Sequence, residues 1–269
     1  IIFTSYAAPN HEVKPKKINP LKKTLAYPDG LIFYKPSYIM IYNHRINNFA
    51  NIGRVPAKQK LNPTEIKFQL SLQIPVWRNI LTVHHKPISL YVAYTQLSYW
   101  QLFTNSAFFR ETNYEPEVFL TAQVYKNWLG RLGVNHQSNG RGGKFERSWN
   151  RLFLDIDYAY GPWHFSLKPW VQIFKAHSSA IYNPDIAKYK GHEQIILAYK
   201  FHNKTKISLR VQNLERASHY MAEQLAVSFP FNTHLEGYVQ VFHGYGESLI
   251  DYRKKATSVG IGIAFNDGF

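Results

Sequence analysis

Cysteine is absent from the chain, which removes a disulfide framework, a thiolate nucleophile and a Cys-ligated zinc together. Long apolar runs are absent too. No stretch reaches the roughly 18 residues that a membrane-spanning helix needs. Acidic residues are scarce: 17 Asp and Glu stand against 32 Lys and Arg, for a formal charge of +15. Such a charge is usually read as nucleic-acid binding, but no nucleic-acid motif accompanies it, so nucleic acid is not expected as a partner. Basic loops suit anionic lipid headgroups or lipopolysaccharide phosphates instead. The chain is not disordered either, since 45% of its 269 residues are hydrophobic and only 18% charged. Aromatics are plentiful, with 19 Tyr and 18 Phe. These residues favour strands and membrane interfaces.

Alternation is the main pattern. From Ile66 to Ile74, Ile66, Phe68, Leu70, Leu72 and Ile74 alternate with Lys67, Gln69, Ser71 and Gln73, and the pattern runs on to Val76. A helix would scatter those apolar residues around its circumference, whereas a strand puts them on one face. A strand of about eleven residues exceeds the common length of about 5–6 but suits a tilted membrane strand of about 9–11. The pattern recurs at 152–160, 165–173, 206–212, 224–229, 238–242 and 259–265. It is weaker near 36–42, 88–102, 114–126, 128–138 and 191–202. Gly161-Pro162, Asn203-Lys204 and Asn232-Thr233 read as turns between strands. His84-His85 reads as a solvated loop pair.

Twelve strands result, an even number as in bacterial outer-membrane barrels. An alternating all-β chain suits either a soluble barrel or sandwich, apolar face inward, or a membrane barrel, apolar face outward. Strand length, aromatic content and the terminal Phe269 favour a twelve-stranded antiparallel transmembrane β-barrel. Residues 1–34, with Lys14, Lys16, Lys17, Lys22 and Lys23, are expected to form a basic arm or plug, and 35–269 one barrel domain. Residues 175–190 read as an external loop. Phe153, Trp170 and Tyr125 are expected to point inward and fill the lumen.

Polar residues break the apolar face at one place. His136 and Ser138 follow Leu132 and Val134 at the same parity, and residues i and i+2 share one side of a strand. A His beside a Ser is a candidate base and nucleophile. Asn150 opens the next strand with the parity of Leu152, Leu154 and Ile156. If 128–138 and 150–160 form a hairpin, all three polar residues meet on one outer face, where an Asn can accept the His N–H and fix its tautomer. On a lipid-facing wall such groups are costly and functional by default. At loop level they would simply be solvated.

Longer motifs carry a resemblance. Phe109-Arg110-Glu111-Thr112-Asn113-Tyr114-Glu115-Pro116, Asn135-His136 with Ser138-Asn139-Gly140-Arg141, Arg147-Ser148-Trp149-Asn150-Arg151-Leu152 and Tyr245-Gly246-Glu247-Ser248-Leu249-Ile250-Asp251-Tyr252 closely resemble outer membrane phospholipase A. Weaker matches at Phe68-Gln69-Leu70-Ser71-Leu72 and Tyr94-Thr95-Gln96 extend the likeness from about residue 35 to the end. The resemblance implies a Gram-negative outer-membrane enzyme that hydrolyses phospholipid acyl esters. It implies activity as a calcium-bound homodimer, with the site outside the barrel near the outer leaflet. Ser138 matches the nucleophile, His136 the base and Asn150 the residue orienting it. The Gly140 N–H matches an oxyanion donor. Gln96 matches a polar residue of the dimer contact embedded in membrane lipid.

For Ca2+, the resemblance draws ligands from the carbonyl of Arg141, from Ser106 on the partner chain and from a serine that aligns here with Glu146. Gly143 stands where some relatives have an Asp for a second calcium site. A non-enzymatic barrel, pore or adhesin, with a vestigial site is the alternative. The intact triad residues and the bulky inward side chains argue against it.

Overall fold

The computed structural model describes residues 30–53, 55–174, 177–232 and 235–266. The expected basic arm up to residue 29 and the terminal Phe269 lie outside them. Twelve staves form one closed antiparallel sheet: β2 (Ser37–Arg45), β3 (Thr64–Val83), β4 (Lys86–Gln101), β5 (Phe108–Tyr125), β6 (Trp128–Ser138), β7 (Ser148–Tyr160), β8 (Trp163–Ile173), β9 (Glu193–Lys200), β10 (Lys206–Gln212), β11 (Ala222–Pro230), β12 (Glu236–Tyr245) and β13 (Lys255–Asn266). Each pairs with its neighbours in chain order, and β13 closes on β2. The short β1 (Ile32–Phe33) pairs with Gln73 and Leu72 of β3, beyond the rung Tyr38–Gln69. It therefore continues the first stave across the break at Pro36, so the wall takes in two residues of the expected arm.

Every alternating segment of the sequence is a strand. β3 runs seven residues past the expected end at Val76. Bulges at Pro75/Trp77 and Trp77/Leu81 break its register with β4 there, and with it the alternation. His84 and His85 form the two-residue turn of this hairpin, both with positive φ (46° and 62°), as a turn matched to strand twist demands. Short turns close one end of the barrel, and long loops stand at the other: 46–63, 102–107, 139–147, 174–192, 213–221 and 246–254. The segment expected as a plain external loop at 175–190 contains two short helices, α1 (His177–Tyr182) and α2 (Ile186–Lys190). Six and five residues are too few to leave a helical period in sequence. Ile186 nonetheless buries itself against Leu249 and Tyr252 and anchors the segment over the barrel mouth.

The faces decide between the two architectures. Leu132, Val134, Leu152 and Leu154 point outward and remain exposed, while Arg131, Asn135, Arg151 and Asp155 on the same strands are buried inside. Apolar-out and polar-in is the arrangement of a membrane barrel. The lumen is cross-linked by charge. Arg110 reaches Glu65 and Asp251, each at 2.8 Å, and Arg45 meets the same Asp251 at 2.9 Å. Lys67 bonds Glu247 at 3.2 Å, and Lys35 bonds Glu115 and Glu117 at 2.9 and 2.6 Å. Pairing and hydrogen bonding offset the cost of burying charges of this kind.

An aromatic cluster including Tyr91, Phe119, Phe153, Trp149 and Trp170 packs inside the barrel, joined by Leu249 and Tyr252 of a long loop. Phe153 and Trp170 point inward as expected. Tyr125 does not: it ends β5 at the short-turn end, 68% exposed, because β5–β6 register slips between Gln123 and Tyr125. The small residues of β13 also gain a role. A Cβ at Gly262 would collide with the Ile39 carbonyl of β2, and Gly260 leaves room for the buried Met40.

Candidate active site

β6 and β7 pair rung by rung, and two of their rungs are His136–Asn150 and Ser138–Ser148. Even-numbered residues of both strands face outward, so His136, Ser138 and Asn150 share the outer wall with Leu132, Val134 and Leu152. His136 Nδ1 and Asn150 Oδ1 are 2.8 Å apart. An amide oxygen only accepts, so this contact puts the proton on Nδ1 and leaves Nε2 as the basic atom. Ser138 is two residues further on the same face, at the last position of β6. Among the described residues no hydrogen bond joins it to His136.

A further group holds Asn150. Its Nδ2 donates to the main-chain carbonyl of Phe174 at 2.8 Å. Phe174 follows β8 with φ +44° and is 83% exposed. A bulky residue at positive φ is a true outlier. This carbonyl escaped the sequence, since a main-chain acceptor leaves no residue signature. Residues of the 174–192 loop brace β7 at Ser148. Asn183 Nδ2 donates to the Ser148 carbonyl at 2.7 Å, its Oδ1 accepts the Ser148 N–H at 3.3 Å, and the Ser148 and Ser179 hydroxyls are 2.7 Å apart.

The loop 139–147 is knotted by Asn139, a second residue the sequence reading did not single out. Its Nδ2 donates to the Phe145 carbonyl at 3.0 Å, and its Oδ1 accepts the Arg147 N–H at 2.9 Å. Gly140 follows at φ +62°, where a Cβ would press within 3.0 Å of the Tyr114 ring. Its N–H has no partner among the described residues, so it can donate to a developing oxyanion. The Arg141 side chain turns away into the barrel, onto Glu111 at 3.1 Å, the Ile52 carbonyl at 2.8 Å and the Arg110 carbonyl. Its own carbonyl stays unpartnered among the described residues.

Glu146 lies on the same loop, half-buried, with its carboxylate 3.4 Å from the Ser148 hydroxyl. Arg147 donates to the Glu146 main-chain carbonyl at 2.6 Å. Carbonyl and carboxylate oxygens are hard donors that suit Ca2+, so the oxygens of this loop fit that ion. Gly143 brings no ligand side chain. Ser106 is exposed on the β4–β5 loop, bracketed by Gln59, which donates to its carbonyl at 2.8 Å. The structure does not bring it to Arg141 or Glu146 within one chain. Gln96 sits on the outer face of β4. Its amide oxygen accepts from Tyr94 at 3.0 Å and its nitrogen donates to Ser98 at 3.2 Å. Tyr114 of β5 pairs with both Gln96 and Ser138, so these three residues form one row across three strands.

Comparison with known proteins agrees over nearly the whole chain. The Phospholipase A1 family profile matches residues 17–265. A phospholipase A1 of Salmonella typhimurium is 38% identical over 250 residues, covering 90% of this chain and 83% of its own length. A calcium-bound dimer of the Salmonella typhi outer membrane phospholipase superposes with a TM-score of 0.81 at 36% identity, covering 93% of this chain and 98% of that one. An active-site mutant of the Escherichia coli outer membrane phospholipase A, an asparagine replaced by alanine, superposes with a TM-score of 0.80 at 34% identity over 93% and 98%. A closed twelve-stranded barrel, with this constellation on its outer wall and these relatives, makes the chain a member of the phospholipase A1 family.

Proposed function

We propose that this protein is a calcium-dependent phospholipase of the bacterial outer membrane, active as a homodimer on the acyl esters of phospholipids. The observation that carries the reading is the 2.8 Å His136–Asn150 contact on an apolar outer wall, two residues along β6 from Ser138. Long loops cluster at the site's end of the barrel, and outer-membrane barrels turn long loops outward. The site therefore faces the outer leaflet, where a lipid acyl chain can lie along Leu132, Val134 and Leu152.

Asn150 accepts the Nδ1–H of His136 and holds the imidazole with Nε2 toward Ser138. As the Ser138 oxygen attacks the ester carbonyl carbon, Nε2 takes the hydroxyl proton. The Gly140 N–H donates to the oxygen on which charge develops. Collapse breaks the ester C–O bond, and His136 returns the proton to the departing lysolipid oxygen. Water then attacks the acyl-enzyme with His136 again as base, and the fatty acid leaves. Calcium, when bound by the Arg141 carbonyl, Glu146 and Ser106 of the partner subunit, supplies positive charge beside that oxygen. Because one ligand and half of the acyl groove come from a second copy, dimerisation through the face carrying Gln96 is the switch. The row Gln96–Tyr114–Ser138 supports this, since it puts the contact and the nucleophile about 10 Å apart, two strand spacings.

Ser138→Ala tests the reading. It should abolish hydrolysis in detergent micelles with calcium while leaving the barrel folded, and a sulfonyl fluoride should label wild type at Ser138 alone. Activity that survives in the variant removes Ser138 as nucleophile.

A further inference from the structure

The lumen contains a cavity of about 530 Å³ whose wall is unbalanced in charge. Seven Lys and Arg side chains line it against four carboxylates. A fifth carboxylate, Glu117, touches Lys35 and Lys168 from behind. Five of the cations meet a carboxylate: Lys35, Lys67 and Lys168 in the pairs already given, Arg151 with Glu115 at 2.5 Å, and Arg131 with Asp155 and Asp157. Among the described residues, Lys190 and Arg210 do not. Lys190 is 8% exposed, and its Nζ donates to the neutral Gly246 carbonyl at 3.0 Å. Arg210 donates to the neutral Gln224 amide oxygen at 2.6 Å.

Both cations line the same cavity. Arg210 and Gln212 are successive inward residues of β10, about 7 Å apart along the strand. Gln212 also donates to the Lys190 carbonyl at 3.1 Å, which hangs Lys190 beside that strand. Burial, with Arg151 and Arg210 nearby, lowers the Lys190 ammonium to about 7; Lys35 adds to this and Glu115 opposes it. Charge of one sign gathered in a desolvated space favours a counter-ion that can meet several donors at once.

We propose that the lumen binds one small tetrahedral oxyanion, sulfate or phosphate, between Lys190 and Arg210. Its oxygens accept from the Lys190 ammonium and from the planar fork of Arg210, which matches oxyanions in two-point contact. The ion balances the two cations that no carboxylate meets and ties α2 and the mouth loop at Gly246 to the wall at β10. The site lies inside the barrel, apart from the outer-wall triad, and does not depend on the triad's role.

Equilibrium dialysis of labelled sulfate against the refolded full chain in nonionic detergent, with chelator and at constant ionic strength, tests this. Sulfate keeps its charge across the pH range used. Wild type should bind one sulfate per chain at pH 6. Lys190→Met and Arg210→Gln should each weaken binding by about tenfold or more, the size of one lost charge-assisted hydrogen bond. Lys204→Met, at an exposed turn, should not. Raising the pH to 9 should weaken wild-type binding, because the Lys190 ammonium loses its proton, and leave Lys190→Met unchanged, because that variant has no proton to lose there. Absence of stoichiometric binding in wild type overturns the proposal, as does binding by both variants that equals wild type. If either variant fails to fold, the wild-type stoichiometry and its fall with pH decide alone.

Discussion

In the proposed mechanism, replacing Asn150 by Ala removes one contact from the base and leaves the base in place. The lost bond is the 2.8 Å contact to His136 Nδ1, on a half-buried residue at the outer wall. A neutral hydrogen bond in such a setting contributes about 0.5–1.5 kcal/mol. Applied to the barrier, that is a loss of roughly 2–13-fold in kcat. His136→Ala removes the proton acceptor itself and should cost about 10²–10⁴-fold. Initial rates in mixed micelles at saturating calcium measure both, with near-UV circular dichroism as the check on folding.

Phe174 supplies an internal control, since only its carbonyl touches Asn150. Phe174→Gly keeps the left-handed backbone accessible and should retain activity. Phe174→Pro fixes φ near −65°, turns the carbonyl away and should fall to the Asn150→Ala level. Equal losses in Asn150→Ala and His136→Ala with intact folding would refute the orienting role.

Glu146→Ala should raise the calcium concentration needed for half-maximal activity, and Glu146→Ser should do so more mildly, because a hydroxyl is a weaker ligand than a carboxylate; matching midpoints in an activity titration would remove Glu146 from the site. Gln96→Ala should shift sedimentation in detergent toward monomer by about 0.6–2 kcal/mol, toward the low end because the amide already has partners on its own strand. Asp251, in the loop 246–254, is pushed up by burial, but Arg110 and Arg45 outweigh this and hold its carboxyl below the usual range. A lowered folded value means its contribution is complete above the ordinary carboxylate range near about 4 and is lost as pH falls through the folded value. The thermal midpoint should therefore drop in acid, and Asp251→Asn should lower it at neutral pH while flattening that acid limb.

The twelve staves were legible because each keeps a period of two, and a one-residue slip would turn Leu132 and Arg131 onto the wrong sides. The same parity placed His136, Ser138 and Asn150 together on the outer wall. Parity fails wherever pairing slips, which is why the end of β3 and the orientation of Tyr125 were missed. It is silent on groups set by the main chain, such as the Phe174 carbonyl. It is silent also on the lumen, where Arg110 finds Asp251 across 141 residues of sequence. The calcium ligands come from the resemblance to the family rather than from any pattern in these residues.

A site on the convex outside of the barrel changes what substrate concentration means for this enzyme. Leu132, Val134 and Leu152 flank His136 and Ser138 with no cleft to enter, so the ester arrives sideways within the leaflet. Encounter is then governed by the fraction of the surface that is phospholipid and, under the proposed dimer activation, by lateral diffusion of a second copy of the chain as well as of lipid. Thinning the leaflet with an inert amphiphile slows both encounters together, so the rate falls more steeply than the lipid fraction does, even when the total amount of phospholipid in the vessel is unchanged.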